Sequence, residues 1–172
     1  MGPETAVGKA VLRHLSQSGR VLSLDVFDTL LLRDCRPELA RLLAVSRAQA
    51  AALRAAGHGI TGRGVCLARL TAQKRAYDKA GDGGDPAYDD LARPMCRMLG
   101  LPEAAGIVLL EAETAWDLAH VRANRRLVSV LRTAVDGVPS PPRIVGVSDM
   151  YLPEASIRRL LAAHVPHLAA MP

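Results

Sequence analysis

Apolar residues follow a helical spacing over most of this chain, and two short runs break that spacing. One run covers residues 21–26 (VLSLDV) and the other covers residues 144–147 (IVGV). Short apolar runs bounded by glycine, proline or polar residues are typical of buried strands. The sequence therefore predicts two strands. Asp25 lies at the end of the first, and Ser148 and Asp149 follow the second.

The stretch between these strands has no strand-like alternation and is predicted to be helical throughout. Pro37, Pro86 and Pro102 lie where the first turn of a helix tolerates a missing N–H, and helices commonly end at glycines such as Gly57, Gly81 and Gly100. These signals predict helices over residues 37–56, 63–80, 86–99, 102–122 and 124–136. Outside this stretch, the pattern predicts helices over residues 4–17 and 153–163 and an extended linker over residues 138–142 (VPSPP).

Strands that alternate with helices indicate a parallel sheet, so the predicted fold class is α/β. In open parallel sheets, ligands bind beyond the carboxyl ends of the strands. Asp25, Ser148 and Asp149 lie at such ends. A carboxylate at the end of a buried strand can cap a turn, bind a metal ion or act as a nucleophile. The pattern alone leaves these three roles open.

The positive net charge of the chain raises nucleic-acid binding as an alternative function. The chain has 172 residues and a formal net charge of +5, and aromatic residues make up only 3% of it. The arginines are spread along the predicted helices without long blocks and without interleaved aromatics, which favours solvated helix faces. We therefore expect no nucleic-acid partner, although a basic helical nucleic-acid binder remains an alternative.

Cysteines and hydropathy indicate a cytoplasmic protein. Cys35, Cys66 and Cys96 are odd in number and form no CxxC pair, so neither zinc nor dithiol chemistry is indicated. Reduced thiols are typical of the cytosol. No apolar run approaches the ~18 residues of a membrane span, and no signal peptide is recognisable at the N-terminus.

Two carboxylates in the helical stretch invite a catalytic interpretation. Glu111 and Glu113 lie two residues apart on a predicted helix, and residues at that spacing do not face each other. We therefore expect both to be solvated surface residues.

The two strand ends carry a family resemblance. The segment 24–31 (LDVFDTLL) resembles the first motif of the haloacid-dehalogenase-like (HAD-like) hydrolase superfamily, and the segment 145–149 (VGVSD) resembles the second. The helical stretch between them resembles the helical cap of that superfamily. DVFDTLL combined with SDMYLP resembles a subgroup of larger bacterial HAD-like proteins, some of which are linked to cell-surface polysaccharide synthesis. The resemblance covers roughly residues 20–163.

This resemblance implies a fold and a chemistry. The fold would be a partial HAD-like (Rossmann-like) parallel-sheet core formed by residues 1–34 and 138–172, with a large all-helical cap formed by residues 35–137. The activity would be Mg²⁺-dependent hydrolysis through an aspartyl intermediate, with a phosphate ester as the small-molecule substrate. Asp25 would be the nucleophile and a magnesium ligand. Thr29 would support the following turn, Ser148 would hold the phosphoryl group, and Asp149 would assist Ser148 or cap a turn.

The sequence departs from the family pattern in two ways. Phe27 occupies the position at which the family's phosphatases carry an acid–base aspartate, and phenylalanine cannot transfer a proton. The basic third motif and the acidic fourth motif of the family are not recognised, so we expect a fragment that is impaired or inactive. Two alternatives follow. One is a dehalogenase-type hydrolase, and the other is a non-catalytic remnant or protein-interaction module that self-associates through an exposed sheet edge.

Overall fold

The computed structural model describes residues 21–81, 84–136 and 143–168, together with the isolated positions 6, 9, 10 and 13. The chain is mixed α/β. Its strands are β1 (Val21–Asp25), β2 (Leu31–Leu32), β3 (Arg122–Ala123) and β4 (Arg143–Val147). Its helices are α1 (Glu38–Ala55), α2 (Gly62–Ala80), α3 (Tyr88–Met98), α4 (Ala105–His120), α5 (Arg125–Asp136) and α6 (Glu154–His164).

Both predicted strands and the six predicted helices from residue 37 onward are confirmed, with ends shifted by a few residues. Most of the predicted helix 4–17 and the whole predicted linker 138–142 lie outside the described residues. Within the described ranges, none of the helices combines the length and the hydrophobicity that a bilayer crossing needs.

The chain divides into two compact units. Unit 1 comprises residues 1–33, 121–148 and 158–172, and unit 2 comprises residues 34–120 and 149–157. The sequence analysis assigned residues 121–136 to the helical insert, whereas in the structure they belong to unit 1. The reason is β3, which pairs antiparallel with β2. A two-residue strand is too short to produce a readable alternation of apolar and polar positions.

Unit 1 is built on the parallel pairing of β1 with β4. The register places Leu22 opposite Ile144 and Asp25 opposite Val147. Valine and isoleucine favour strands because a branched side chain packs well on a pleated surface. The ends of this two-stranded sheet are open to solvent, since Val21 is 49% and Val147 is 52% exposed.

Unit 2 contains α1 to α4, which pack around a shared apolar core. Its buried members are Ala50, Leu53, Val65, Ala68, Ala72, Met95, Cys96, Ala105 and Leu109. The alanines let the helices approach closely, and leucine and methionine fill the remaining space. The helix α2 begins with the Thr61 hydroxyl accepting from the N–H of Gly64 at 3.1 Å, which caps its N-terminus. It ends at Gly81, whose φ of 64° favours glycine.

Truncation of Leu109 tests this core. Leu109 is fully buried in α4, so Leu109→Ala leaves a cavity and should lower the free energy of unfolding by about 2–5 kcal/mol. Ile107 on the same helix is 68% exposed, and Ile107→Ala should change that free energy by no more than about 0.5 kcal/mol. Urea unfolding of both variants gives the comparison. If both variants lose the same free energy of unfolding, the side of α4 that carries Leu109 is not buried in the core.

Candidate active site

Asp25 and Ser148 lie at neighbouring strand ends. Asp25 is the last residue of β1 and is the register partner of Val147, the last residue of β4. Ser148 follows Val147 directly, and the N–H of Val26 donates to the Val147 carbonyl at 3.0 Å. Because the two strands are parallel, Asp25 and Ser148 leave the sheet at the same edge. The structure therefore brings together two residues selected from the sequence.

A tight hydrogen-bonded turn follows Asp25. The Val26 carbonyl accepts from the N–H of Leu30 at 2.9 Å and from the N–H of Leu31 at 2.8 Å. Asp28 has a φ of 58°, a left-handed conformation that aspartate adopts more readily than most side chains. Leu30 and Leu31 are both fully buried, so the far side of the turn is fixed in the core of unit 1.

Thr29 connects this turn to the carboxylate. Its hydroxyl donates to Oδ2 of Asp25 at 2.7 Å. Within the described parts of the chain, this is the one side-chain hydrogen bond that the Asp25 carboxylate receives. Thr29 thus orients the carboxylate and leaves Oδ1 without a hydrogen bond from another side chain.

Asn124 also contacts this turn, a contact that was not predicted from the sequence. Its side-chain Nδ2 donates to the Thr29 carbonyl at 3.0 Å, and its backbone N–H donates to the Leu30 carbonyl at 2.8 Å. Its Oδ1 accepts from the N–H of Leu127 at 3.2 Å and so caps α5. An asparagine before a predicted helix is a recognisable cap signal. No local pattern indicates the contact with a turn 95 residues earlier in the chain.

Phe27 stands where the resemblance would place an acid–base aspartate, and Asp28 is the carboxylate next to it in the sequence. Phe27 is 5% exposed, so its ring belongs to the core of unit 1. The carboxylate of Asp28 forms an ion pair with the guanidinium of Arg33. That guanidinium also lies 5.6 Å from the centre of the Phe27 ring. Residue 27 therefore supplies no proton donor, and the Asp28 carboxylate is held by Arg33.

Ser148 and Asp149 differ in their surroundings. Ser148 is half-buried and belongs to unit 1, as Asp25 does. Asp149 is exposed and belongs to unit 2. The sheet register pairs Asp25 with Val147, and Ser148 follows Val147 at the same edge of unit 1.

The residues at this edge fit magnesium only in part. Magnesium is usually bound through one or two carboxylates together with substrate phosphates and several waters. The exposed carboxylate of Asp25 can supply one such oxygen ligand. In residues 21–81, 84–136 and 143–168, no group of three or more His, Cys, Asp or Glu side chains is arranged to hold a metal ion.

A second polar cluster lies inside unit 2 and centres on Glu113. Arg69 donates to Glu113 through Nη1 at 2.9 Å and through Nη2 at 3.1 Å, and the two residues are 1% and 2% exposed. Gln49 donates to the same carboxylate at 3.2 Å. The Tyr151 hydroxyl donates to it as well. The expectation that Glu113 is solvated is therefore wrong, whereas Glu111 is exposed as expected.

Tyr151 ties the segment after Ser148 into this cluster. The Arg69 guanidinium carbon lies 4.5 Å from the centre of the Tyr151 ring, within cation–π range. Burial, followed by the charge of Glu113, raises the pKa of Tyr151 above its ordinary range. Burial is the largest influence on the pKa of Arg69 and lowers it, but the charge and hydrogen bond of Glu113, together with Tyr151 and Tyr88, outweigh burial and raise the pKa. At neutral pH the cluster therefore contains a cationic Arg69, paired with Glu113, and a neutral Tyr151.

Helical periodicity contained a signal for this cluster. The buried stripe of α2 includes Val65, Arg69, Ala72 and Ala76, and the buried stripe of α4 includes Ala105, Leu109 and Glu113. The α2 stripe thus carries the cation of Arg69 at a core position, and the α4 stripe carries the carboxylates of Glu113 and Asp117. Buried charges need a partner, so the two stripes together indicate an internal ion pair.

No protein-family model and no curated protein matches the chain.

The buried ion pair can be tested by removing one partner and then both. Arg69→Met leaves the Glu113 carboxylate buried without its cation and should cost about 3–5 kcal/mol of folding free energy. The double variant Arg69→Met/Glu113→Leu removes both charges and should recover most of that loss. Denaturant unfolding measures all three proteins. A double variant no more stable than Arg69→Met would contradict a directly paired, buried arrangement.

Tyr151 should make the protein less stable in alkali. Above pH ~10 the tyrosine of the unfolded chain releases its proton, whereas the folded state retains it because the folded pKa is raised. The unfolded state is therefore favoured increasingly as pH rises, and the free energy of unfolding should fall.

In Tyr151→Phe, the free energy of unfolding should fall less steeply as pH rises. Tyr77→Phe is the matched control because Tyr77 is 42% exposed. Urea unfolding between about pH 8 and pH 11 gives the slopes. If the two variants have the same slope, Tyr151 does not titrate as described.

Proposed function

We propose that this chain is a HAD-like hydrolase of phosphatase type that uses Asp25 as its nucleophile. The observation that supports this most is the parallel register of β1 and β4, in which Asp25 is opposite Val147 and Ser148 follows at the same edge. A carboxylate and a hydroxyl at neighbouring strand ends suit the attack on a phosphoryl group and the binding of its oxygens. The resemblance of LDVFDTLL and VGVSD to the two HAD-like motifs supports the same proposal.

The proposed reaction proceeds in two displacements. Oδ1 of Asp25 attacks the phosphorus of a phosphate ester, and the bond between phosphorus and the ester oxygen breaks. This gives an aspartyl phosphate and an alkoxide, which takes a proton from water. Water then attacks the phosphorus of the aspartyl phosphate, releasing inorganic phosphate and regenerating the Asp25 carboxylate. Each step balances without an oxidant or a reductant.

The neighbouring residues have distinct roles in this proposal. Thr29 donates to Oδ2 of Asp25 and so presents Oδ1 for attack. The Ser148 hydroxyl would donate to a phosphoryl oxygen, and Asp149 would assist the turn after Ser148. Asp25 would also hold Mg²⁺, which neutralises the charge of the phosphoryl group when bound. Asn124 acts on the turn rather than on the substrate, through the Thr29 carbonyl.

We expect the proposed hydrolase to turn over slowly. With Phe27 buried and Asp28 paired with Arg33, neither side chain replaces the acid–base aspartate of the family's phosphatases. General acid–base catalysis contributes roughly 10²–10⁴-fold to a rate, so turnover should be lower by about that factor. Substrates with a good leaving group should be affected least, because they need little help from an acid.

We propose that the protein is located in the cytoplasm. Cys35, Cys66 and Cys96 are all free thiols, which fits a reducing compartment. The proposed partner is a small phosphate ester rather than a nucleic acid or a membrane.

A dehalogenase-type activity is the second candidate, and Phe27 favours it. A halide leaves without a proton, so attack of the Asp25 carboxylate on carbon needs no acid at position 27. Release of halide from a 2-haloacid, absent in Asp25→Asn, would favour this candidate over the phosphatase.

A non-catalytic interaction module is the third candidate, and the small sheet favours it. Among the described residues β1 and β4 pair only with each other, and unpaired strand edges can accept another chain. A folded chain without turnover on either substrate class, which self-associates in solution, would support this candidate.

The proposal is tested by turnover of p-nitrophenyl phosphate with magnesium. The native chain should release phosphate slowly, and Asp25→Asn should abolish the release because an amide is not a nucleophile here. Asp85→Asn is the matched control, since Asp85 is an exposed carboxylate outside the proposed site. Its rate should equal that of the native chain. Activity that survives in Asp25→Asn, or native protein without any magnesium-dependent turnover, would refute the proposed phosphatase.

A further inference from the structure

A basic groove lies between α2 and α3 of unit 2, and the proposed hydrolase chemistry does not use it. Its volume is about 310 Å³, at the lower end of the range for small-molecule sites. Four cationic side chains line it: Arg75 and Lys79 from α2, and Arg93 and Arg97 from α3. Two carboxylates, Asp89 and Asp90, also reach its wall.

Both of these carboxylates already have partners. Asp89 pairs with Arg93 at 3.3 Å, and Arg93 also pairs with Glu103 at 3.0 Å. Oδ2 of Asp90 accepts from the N–H of Ala87 at 3.0 Å at the start of α3. Asp89 is therefore offset by Arg93, and Asp90 keeps its charge, so four cations face two carboxylates in the groove wall.

The remaining charge of the groove is positive. Arg75, Lys79 and Arg97 form no ion pair with any carboxylate in the described parts of the chain. Arg75 and Lys79 are four residues apart on one helix face, so their side chains are neighbours. Arg97 approaches the same groove from the other helix. Three unpaired cations around one concavity fit an anion that carries more than one negative group.

We propose that this groove binds a small anion with at least two phosphate groups, of the pyrophosphate type. Arginine and lysine bind phosphate oxygens through charge-assisted hydrogen bonds, and two linked phosphates would engage cations of both helices. Among the residues that the structure describes, no aromatic side chain lines the groove, so they offer nucleobases no stacking platform. The ligand is therefore recognised by its phosphates. This inference does not depend on Asp25 or on the proposed hydrolase.

Calorimetric titration of the full chain with inorganic pyrophosphate, at low salt and without magnesium, tests the groove. The native chain should bind pyrophosphate, and orthophosphate should bind more weakly because it offers one phosphate group. Arg75→Gln/Lys79→Gln should weaken pyrophosphate binding by at least about tenfold, since it removes two charged donors. Arg97→Gln should weaken it as well, from the opposite helix.

The matched control is Arg54→Gln/Arg63→Gln, which removes the same charge from exposed helical positions outside the groove. It should leave the affinity within about twofold, because screened surface charges contribute little at a distance. Since all five substituted side chains are exposed, every variant should keep the native Tm.

Three results would overturn the inference. One is a native chain that does not bind pyrophosphate. The second is a control variant that loses as much affinity as Arg75→Gln/Lys79→Gln, which would indicate non-specific attraction to net charge. The third is a single-stranded oligonucleotide that displaces pyrophosphate, which would make the groove part of a nucleic-acid surface.

Discussion

The parallel pairing of β1 with β4 is the constraint on which the candidate site depends. The two strands are more than a hundred residues apart in the chain, yet their register sets Asp25 opposite Val147. A slip of one residue would turn the side chains of one strand to the other face of the sheet relative to those of its partner, and Asp25 would no longer lie opposite Val147. The hydrogen bond from the Val26 N–H to the Val147 carbonyl continues the pairing past Asp25 and fixes that register.

Around this edge the structure holds the carboxylate through a short chain of contacts. Asn124 bonds the Thr29 carbonyl, and the Thr29 hydroxyl bonds Oδ2 of Asp25. Asn124 is positioned in turn by the β2–β3 pair that precedes it and by α5, which it caps. The carboxylate is thus oriented by a backbone turn, and its orientation does not depend on long, flexible side chains. Such rigidity is what a nucleophile requires for productive geometry.

Unit 2 has a different organising interaction, the buried pair of Arg69 and Glu113. Removing two charges from water is costly, so the pair is tolerated only with good geometry and additional hydrogen bonds. Gln49 from α1 and Tyr151 from the segment after β4 supply those bonds. The cluster therefore links three helices, α1, α2 and α4, and a later segment through directional contacts, whereas the alanine-rich core supplies non-directional burial.

Much of the fold and part of the site could be predicted from the sequence. The strands at residues 21–26 and 144–147 were recognisable because each is a short apolar run that interrupts the helical spacing on both sides of it. Asp25 and Ser148 were identifiable because they lie at the ends of those runs, and Thr29 was identified through the resemblance to the first HAD-like motif. Three features were missed, each for a physical reason. The strands β2 and β3 are too short for a pattern, the contact of Asn124 with Thr29 is long-range, and the burial of Glu113 follows from its helical stripe rather than from its spacing to Glu111.

The most direct measurement of the central claim is to locate a covalent phosphoryl group during turnover. Acid quenching of the native chain with p-nitrophenyl phosphate and magnesium, followed by tandem mass spectrometry, should find the phosphoryl group on Asp25. A phosphoryl group on another residue, or steady phosphate release without any modified Asp25, would contradict the account.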